Sequence, residues 1–477
     1  MSDGKTNHLE TGKGRNQKVE IGRIKTSIFS GMIRKPSSFR HILSSLCISA
    51  SLCLCGGPAF QNISNAAELR TLTLDQALEI ADSRNRDIQK AREFYRQVQG
   101  RYVEERAAAL PQLTVTSSVA RQQDDSQKAI AEGLFPAIQN SWGADLNLSQ
   151  ALFTWGKVGA AIRAAEKGFK TADERLRISR QDTRRDVVAA FYDILLAREL
   201  HAIALQNLEQ KERHLEEVRR KYAVGVATDY DVLAAQVSHE NARPEVIRTE
   251  NQVRAARDRL RFVLALEGDL DVSGTLEAAI APIQSYGETL EVARKRRPEL
   301  KELRLRKEIA GELLHVANAE NKPRLDLQGG VGWHRIEAGE TAGDGKAWNV
   351  GIFLTFPIFD GLKARGKVAQ ARSELRSIEI DEARLADSIS LEIRDTGNAV
   401  HEAEGIVRSL SGTVAQAERL LAMAEQGYAL GVKIRLEVDD AELNLLQARG
   451  NRARARRDYL VARINLERAM GVLGEGD

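Results

Sequence analysis

The chain has 477 residues, of which 43% are hydrophobic, 29% charged and only 5% aromatic, and its formal net charge is +3. The hydrophobic fraction is too high for a wholly disordered chain. The 70 basic and 67 acidic side chains nearly balance, which excludes the strong basic excess of a nucleic-acid-binding protein. Only the stretch 42–60 is apolar enough to raise the question of a membrane helix, which excludes a polytopic helical membrane protein.

Residues 1–67 are typical of an N-terminal extension followed by a secretory signal peptide. Basic residues precede the apolar stretch and small residues follow it, which is the order that marks export. A single membrane anchor is the alternative, and four serines within the stretch make it less favourable. The three cysteines all lie in this leader, at Cys47, Cys53 and Cys55. We therefore expect no disulfide and no thiolate metal site in the exported chain.

The strongest feature of the sequence is an internal duplication. Leu-Glu-Ile-Ala at 78–81 resembles Leu-Glu-Val-Ala at 290–293, an offset of 212. Further on, Tyr-Ala-Val-Gly at 222–225 resembles Tyr-Ala-Leu-Gly at 428–431, an offset of 206. The six-residue difference must arise between residues 111 and 153, and insertions concentrate in surface loops. We therefore divide the exported chain into two structural repeats, 68–270 and 271–477, each with a helix, a β-hairpin and a long helix pair.

Each repeat contains two stretches in which apolar and polar residues alternate. Examples are Leu113, Val115 and Val119 in the first repeat and Val350, Ile352 and Leu354 in the second. Alternation over about ten residues suits a transmembrane β-strand, although soluble half-buried strands give the same pattern. Tryptophan placement favours the membrane, because aromatic residues gather at its interfaces. The tryptophans of this predicted girdle are Trp142, Trp155, Trp333 and Trp348. We expect polar loops between the strands at about 121–141 and 335–347.

Long helices follow the strands in each repeat. No proline interrupts 157–222, a length of roughly 99 Å at about 1.5 Å per residue. Such a helix belongs to a coiled-coil rod and has no place in an ordinary globular domain. Gly225 and Gly431 are suited to left-handed caps that reverse the chain, and a return helix is expected at about 228–266. Alternating charges at 211–220 indicate an exposed, salt-bridged helix face.

Several short motifs recur in order and resemble one known family. They are Leu-Asp-Gln-Ala-Leu-Glu-Ile-Ala (74–81), Ala-Leu-Pro-Gln-Leu (109–113), Gln-Ala-Leu-Phe-Thr-Trp-Gly-Lys (150–157), Phe-Pro-Ile-Phe-Asp-Gly (356–361) and the two Tyr-x-x-Gly turns. The chain resembles the TolC-type outer-membrane efflux and secretion channels over about residues 72–473. The resemblance implies a mainly helical fold with four membrane strands per chain. It also implies a homotrimer with a shared twelve-stranded barrel in the outer membrane and a helical tunnel in the periplasm.

The resemblance also implies which residues control the channel. A periplasmic gate network would include Asp231 from the first repeat with Tyr428 and Lys433 from the second. Glu437 and Asp440 would form an acidic ring inside the mouth, which favours cations. The turns at Gly225 and Gly431 are the expected docking tips. Expected partners are a periplasmic adaptor, an inner-membrane ABC or proton-driven transporter and outer-membrane lipid, with no nucleic acid.

No enzyme motif is present in the sequence, and we expect neither catalysis nor a cofactor nor a metal site. The histidines of the exported chain are scattered and mostly on helical patterns. Two rival interpretations stay open at this point: an exported coiled-coil scaffold without a pore, and the periplasmic adaptor of a secretion machine. The cargo, whether protein or drug and metal, is not determined by the sequence.

Overall fold

A computed structural model describes residues 70–123, 138–277 and 280–474. The leader and its cysteines lie outside these ranges. The first repeat contains β1 (Arg70–Leu72), α1 (Leu74–Arg84), α2 (Arg86–Ala107), β2 (Gln112–Gln123), β3 (Ile138–Phe153), α3 (Lys157–Ala223) and α4 (Asp229–Leu264). The second contains β4 (Leu270–Val272), α5 (Tyr286–Arg296), α6 (Pro298–Asn318), β5 (Arg324–Ala338), β6 (Thr341–Thr355), α7 (Lys363–Leu410), α8 (Thr413–Ala429) and α9 (Arg435–Met470). Within the described ranges, no helix has the length and apolarity that a membrane span requires.

The helix α3 is the axis of the chain, and its 67 residues confirm the predicted long helix. Its first part packs against α2, where the rings of Tyr95 and Phe169 lie 4.5 Å apart. Its later part packs against α4, where His201 and Thr249 are hydrogen-bonded at 3.1 Å. The return helix α4 is also where the sequence placed it, at Asp229–Leu264. The shorter helices α2 and α4 thus lie one after the other along the long helix α3.

The second repeat differs from the first because its long helix is broken. The helix α7 ends at Leu410 and α8 begins at Thr413, with Ser411 and Gly412 between them. The sequence predicted the same pattern for both halves, and for the second half this is wrong. At the break the amide of Ser411 donates to the carbonyl of Arg408, three residues back, in place of the α-helical bond.

Four long strands form one antiparallel sheet in the order β2-β3-β5-β6. The pairing of β3 with β5 joins the two repeats. The expected loop at 335–347 is wrong, since β5 and β6 continue through it and only Gly339 and Glu340 separate them. The polar, glycine-rich residues of 335–347 still form the backbone hydrogen bonds between β5 and β6. The other expected loop lies mostly in 124–137, outside the described residues.

The repeats meet at a small parallel sheet of β1 and β4 beside α3. The domain boundary at 270/271 therefore falls inside β4. The core behind this sheet contains Leu72, Ile194, Leu260 and Val272. The duplication also appears in the turns from strand to helix. Trp155 and Gly156 have left-handed backbones, with φ of 52° and 79°. The matching Gly361 and Leu362 have φ of 67° and 68°.

Candidate functional site

The long sheet has one apolar face. Residues directly opposite in an antiparallel ladder project from the same face, so the register assigns each strand's residues to one side. The apolar members of this face are Leu113, Val115 and Val119 on β2, Leu148, Leu146, Ala144 and Trp142 on β3, Leu325, Leu327, Val331 and Trp333 on β5, and Leu354, Ile352, Val350 and Trp348 on β6. Ser117, Gln150 and Gly329 interrupt the face, and Arg121, Arg335, Asp344 and Lys346 make its tip end polar.

On β5 the apolar band runs from Leu325 to Trp333. Nine residues at about 3.4 Å each span roughly 30 Å along the strand, and a tilted transmembrane strand needs about 9–11 residues. Many of these side chains are exposed in the single chain, with Trp348 at 78% of its surface. A band of this length, largely exposed in the described part of the chain, has the dimensions and polarity of a lipid-facing surface.

The tryptophans of the sheet follow a diagonal across this apolar face. Trp348 on β6 is level with Val331, Trp333 lies two residues further toward the tip, and Trp142 on β3 is level with Arg335. The strands of a barrel are tilted, so positions at the same height on neighbouring strands are shifted relative to the pairing register. The three tryptophans follow this shift. Trp155 lies beyond the opposite end of β3, where its ring packs edge-on against Phe153 at 5.3 Å.

The opposite face of the sheet carries small and mostly neutral residues. They include Thr114, Thr116 and Ser118 on β2, Ser141, Asn147 and Ser149 on β3, Gly330 and Gly332 on β5, and Gly345, Ala347 and Asn349 on β6. Two contacts between ionisable groups lie on this face. His334 lies 3.0 Å from Asp145, and Arg324 lies 2.6 Å from Asp326. The polar face is therefore suited to contact water.

The turns at the far ends of the helix pairs confirm the predicted glycine caps. Gly225 has φ of 76° and Gly431 has φ of 71°, which is the left-handed region that glycine adopts without a steric penalty. Each turn exposes apolar side chains on both sides of its glycine. These are Val224 and Val226 in the first repeat and Leu430 and Val432 in the second. Exposed apolar side chains grouped at one end of a molecule indicate a contact surface.

Asp231 closes the cap of α4. Its carboxylate accepts hydrogen bonds from the backbone N–H of Thr228 at 2.8 Å and from the Thr228 hydroxyl at 2.7 Å. These bonds, the backbone N–H first, lower the pKa of Asp231. Among the described residues of one chain, Asp231 has no hydrogen bond to Tyr428 or Lys433. The structure thus places the acid of the predicted gate at a helix cap, and the gate contact itself stays a prediction.

Tyr428 bridges the two repeats. Lys221 of α3 lies 5.6 Å from the centre of its ring, and Arg435 of α9 lies 6.0 Å from it. Contacts of this kind between a cation and an aromatic ring are attractive. The ring also packs beside the buried Val438. Within one chain Tyr428 thus contacts the first repeat through Lys221, and its predicted contact with Asp231 stays a prediction.

The two acids of the predicted ring have different surroundings. Lys433 bonds to Glu437 at 2.9 Å, and Glu437 also accepts from the backbone N–H of Ile434. The bond from Lys433, followed by that of Ile434, lowers the pKa of Glu437. Asp440 is exposed, and no charged residue in the described ranges pairs with it. One carboxylate is thus neutralised within its own chain and the other is left free.

Asp231 and Glu437 occupy equivalent positions in the two repeats, because 437 − 231 equals the offset of 206. Each lies three residues into the first turn of its return helix and bonds the backbone N–H of the residue before that helix. The sequence analysis gave these two acids different roles and did not note their equivalence. Their shared local task is to cap a helix, which negative charge at a helix N-terminus favours.

A partly buried ionic cluster between α3 and α9 was not predicted from the sequence. Lys211 bonds to Glu442 and, at 3.2 Å, to Asp439. Gln210 donates to Glu442 at 2.9 Å, and Arg435 donates to Asp439 at 2.8 Å. Glu442 is 5% exposed and Lys211 is 13% exposed, so the expectation of an exposed face at 211–220 is wrong for Lys211. The signal was Glu442 itself, a charge on the apolar stripe of Val438 and Leu445.

No group of metal-ligating side chains is found in the described part of the chain. What the geometry offers is a sheet with an apolar and a polar face, mounted on long helix pairs that end in apolar turns. This arrangement defines the class: an outer-membrane channel protein with a helical stalk.

Comparison with known proteins identifies the family. The family described as outer membrane efflux protein matches residues 77–266 and 289–472, and the chain belongs to it. The chain is 24% identical over 381 residues to the outer membrane protein TolC of Vibrio cholerae, covering 78% of this chain and 84% of that protein. It is 27% identical to the alkaline protease secretion protein AprF of Pseudomonas aeruginosa, covering 78% and 79%.

Solved structures show the same fold. The CmeC outer membrane channel of Campylobacter jejuni superposes with a TM-score of 0.73 at 17% identity, covering 85% of this chain and 87% of that one. The predicted fold class, outer-membrane location and export function are confirmed by these findings. The scaffold and adaptor interpretations find no support, since the matched relatives are outer-membrane channels and secretion proteins.

Proposed function

We propose that three copies of the chain form one channel that spans the outer membrane and the periplasm. It is the passive exit duct of a tripartite export system, with a periplasmic adaptor and an inner-membrane transporter as partners. The transporter, of the ABC or proton-driven type, supplies the energy. The observation that carries the proposal is the four-stranded sheet, which has a band of membrane height on one face and two unpaired edges.

The edges of the sheet explain why several copies are needed. Unpaired backbone groups at β2 and β6 are not tolerated in lipid, so the sheet must close on other copies. Because the four strands alternate in direction, β6 of one copy is antiparallel to β2 of the next. Repeating this contact generates a ring. Closed barrels start at about eight strands, and the family resemblance selects three copies with twelve strands.

The apolar face then contacts lipid and the polar face lines the lumen. The diagonal of Trp142, Trp333 and Trp348 lies at one membrane interface, and Trp155 lies at the other. The small, neutral residues of the lumen face leave a wide bore without a fixed charge of one sign. The helix pairs continue this bore through the periplasm and end at the turns of Gly225 and Gly431, where the adaptor docks.

The gate at the periplasmic end joins copies of the chain. Since Asp231 bonds Thr228 within its own chain, the partners Tyr428 and Lys433 reach it from the inner helix pair when the copies close around the axis. Lysine at 433 supplies a single charge without the planar fork of arginine. The carboxylates of Glu437 and Asp440 lie inside the mouth, where a ring of acids favours cations.

The first test is the conductance of the purified mature protein in a planar bilayer, beside the Asp231→Ala and Thr228→Ala variants. We expect a small resting conductance that rises in Asp231→Ala. Thr228→Ala is the matched control, because it breaks the other half of the same capping box and leaves the carboxylate in place. If both variants raise the conductance equally, the effect comes from the cap and the gate assignment is wrong. No channel from folded, membrane-extracted protein contradicts the whole proposal.

Disulfide cross-linking tests the closed ring. The cysteines of the sequence all lie in the leader, so introduced pairs report without background. Val115→Cys on β2 is combined in turn with a cysteine at 348, 350 or 352 on β6. We expect covalent trimers from at least one pair, and none from Val115→Cys with a cysteine on the opposite face at Asn349. Covalent dimers as the sole closed product would contradict three copies.

A further inference from the structure

We propose that the second repeat has a docking site for an extended peptide segment of another protein, formed by residues 282–284 and by the cleft between α5, α7 and α9. The first repeat supplies a template for this site, because the strand β4 occupies the equivalent place there. The segment that fits carries an acidic residue and, three positions later, a bulky apolar one. The surface lies on the helical stalk, and its role is additional to the proposed export function.

Residues 282–284 are the second-repeat equivalent of β1. The helices that follow these two segments, α1 and α5, begin and end at residues separated by the offset of 212. Each of the two helices also begins with a capping box, formed by Thr73 in the first repeat and by Ser285 in the second. The equivalence of 282–284 with β1 is therefore fixed residue by residue.

The two equivalent segments differ in their backbone partners. The strand β1 pairs in parallel with β4, and just beyond the pair the backbone N–H of Ser273 donates to Leu72 at 2.9 Å. In the second repeat the backbone of Ile283 forms no hydrogen bond within the described part of the chain. Unpaired backbone groups of this kind form an edge to which an extended peptide can add.

The apolar floor of the site is present in both repeats. In the first repeat, Ile194 and Leu260 pack in one buried cluster with the strand β4. Their equivalents at the offset of 206 are Val400 and Leu466, which are also buried and pack with Ile283. The second repeat thus keeps the surface on which β4 lies in the first.

The wall of the site differs between the repeats. In the first repeat, Phe191 and Leu195 of α3 fill the space beside Gly274, where a Cβ atom would stand 3.4 Å from Phe191 and 3.5 Å from Leu195. Their equivalents on α7 are Gly397 and His401, which line a cleft of about 310 Å³. The second repeat therefore has room for a large side chain at a position where the first repeat has a glycine.

Charge favours an acidic residue in the peptide. The carboxylate of Asp271, in the middle of β4, lies 2.7 Å from Arg257 and 3.5 Å from Arg198. The equivalent of Arg257 is Arg463 of α9, which donates to a backbone carbonyl and a hydroxyl and forms no ion pair in the described part of the chain. The equivalent of Arg198 is Glu404, which is paired with an arginine of its own helix. Arg463 is thus a cation without a carboxylate at the place where the template holds one.

These features define the peptide that fits. Its extended part adds in parallel to residues 282–284, as β4 adds to β1. An acidic residue at the position of Asp271 meets Arg463. A bulky residue at the position of Gly274 enters the cleft beside Gly397. In this mode of recognition the main-chain hydrogen bonds supply affinity, and the side-chain pockets supply specificity.

A peptide derived from the template tests the site. The probe is a fluorescent synthetic peptide with the sequence of residues 267–276, in which the bulky, photoreactive p-benzoylphenylalanine replaces Gly274. Fluorescence anisotropy measures its binding to the purified mature protein in detergent. We expect saturable binding that is clearly tighter than that of the same peptide with glycine at this position. The absence of saturable binding up to about 1 mM overturns the proposal.

The acidic contact is tested from both sides. Asparagine in place of Asp271 in the probe, or Arg463→Gln in the protein, should each weaken binding about tenfold, which loss of a hydrogen bond between charged groups can cause. The two changes together should exceed either one little, because both remove the same contact. Fully additive effects would show that Arg463 does not bind the acid of the peptide.

Gly397→Phe tests the cleft, because it restores the residue that fills the equivalent space in the first repeat. A Cβ atom added at Gly397 meets no atom within 4 Å, so the variant should fold. We expect it to weaken binding of the probe about tenfold or more. Gly366→Phe, at an equally open glycine near the start of α7, is the matched control and should bind like wild type. Equal effects of the two substitutions overturn the cleft as the binding site.

Photolysis of the bound probe locates the peptide. The label should appear in the tryptic fragment 395–408, which contains Gly397 and His401. Label on α3 would mean that the probe displaces β4 in the first repeat, and label on the tip turns or the sheet would mean another site. Either result overturns the proposed site. None of these measurements uses conductance, so their failure leaves the proposed channel intact.

Discussion

At the scale of single residues, Glu320 shows how one carboxylate joins the two repeats. It lies just after α6 and accepts hydrogen bonds at 2.6 Å from Lys157, at the start of α3, and from Lys367, in the first turns of α7. These two bonds, that of Lys157 first, lower the pKa of Glu320 to about 2. Its side chain is 22% exposed, so the interaction is only partly screened by water. The helices below the sheet are thus tied at one point.

We expect Glu320→Gln to lower the free energy of unfolding by about 1–2 kcal/mol at neutral pH. A folded-state pKa below the ordinary value means that the carboxylate stabilises the fold above about pH 4.5. That contribution is lost as the pH falls toward 2. The difference between wild type and variant should therefore be constant from pH 6 to 8 and shrink below 4.5. Denaturant midpoints across this range measure it.

The control for this prediction is Glu374→Gln, at an exposed glutamate of α7 for which no ion pair is found in the described part of the chain. It should change the midpoint little at any pH. If the difference in unfolding free energy between wild type and Glu320→Gln stays constant down to pH 2, the ionised carboxylate is not the source of the stabilisation.

At the scale of elements, the sequence was most informative where a pattern is long and local. The uninterrupted run at 157–222 predicted α3 because helix periodicity and the absence of proline act over every turn. Gly225 and Gly431 were predictable because each turn needs a left-handed residue. The alternating strands were predictable in type, but β5 and β6 extend through residues whose side chains gave no strand signal.

Long-range pairings escaped the sequence for a physical reason. Gly405 lies inside the continuous helix α7, whereas Gly412 lies at the break between α7 and α8. The residues next to each glycine do not show which of the two will end a helix. Lys211 and Glu442 are 231 positions apart, and a charged residue in an alternating helix looks the same whether water or a distant helix covers it. Most of the fold was therefore predictable, whereas the contacts that join its repeats near the mouth were not.

The junction of α3, α6 and α9 gives a prediction at this scale. Arg468 of α9 is 11% exposed and bonds Asp182 of α3 at 2.8 Å and Glu299 of α6 at 2.5 Å. Burial alone would raise the pKa of Glu299, but Arg297 and Arg468 outweigh burial and lower it. Two carboxylates on different helices thus share one guanidinium, and Glu299 also pairs with Arg297 at 3.3 Å.

We expect Arg468→Met to destabilise the fold by about 1–3 kcal/mol, because it removes a hydrogen bond to Asp182 and an ion pair with Glu299. Arg468→Lys keeps the charge without the fork and should cost less. Arg454 on the same helix is exposed, and its guanidinium hydrogen-bonds Asn451 at 3.4 Å, so Arg454→Ala should be within about 0.5 kcal/mol of wild type. Chemical unfolding in detergent measures all three. Equal effects of Arg468→Met and Arg454→Ala would show that the junction does not depend on this residue.

At the scale of the whole molecule, charge selection should reside at the mouth and not in the sheet. On the polar face of the sheet, Arg324 pairs with Asp326 at 2.6 Å, and the carboxylate of Asp145 lies 3.0 Å from the ring of His334. At the mouth, Glu437 is paired with Lys433, whereas Asp440 is free. In the proposed ring of three copies, only the unpaired Asp440 contributes its full negative charge at the channel axis. Closely spaced negative charges attract cations and repel anions.

We therefore expect a cation-selective channel in which Asp440→Asn reduces the cation-to-anion permeability ratio several-fold, with Glu437→Gln reducing it less. The double variant Arg324→Gln with Asp326→Asn removes a neutral ion pair from the sheet, and as the control it should leave the ratio unchanged. Reversal potentials under a salt gradient measure the ratio, and high salt should weaken every difference because it screens charge. A larger loss from Glu437→Gln than from Asp440→Asn would mean that Lys433 leaves Glu437 when three copies assemble. The lysine would then be released to the gate contact with Asp231.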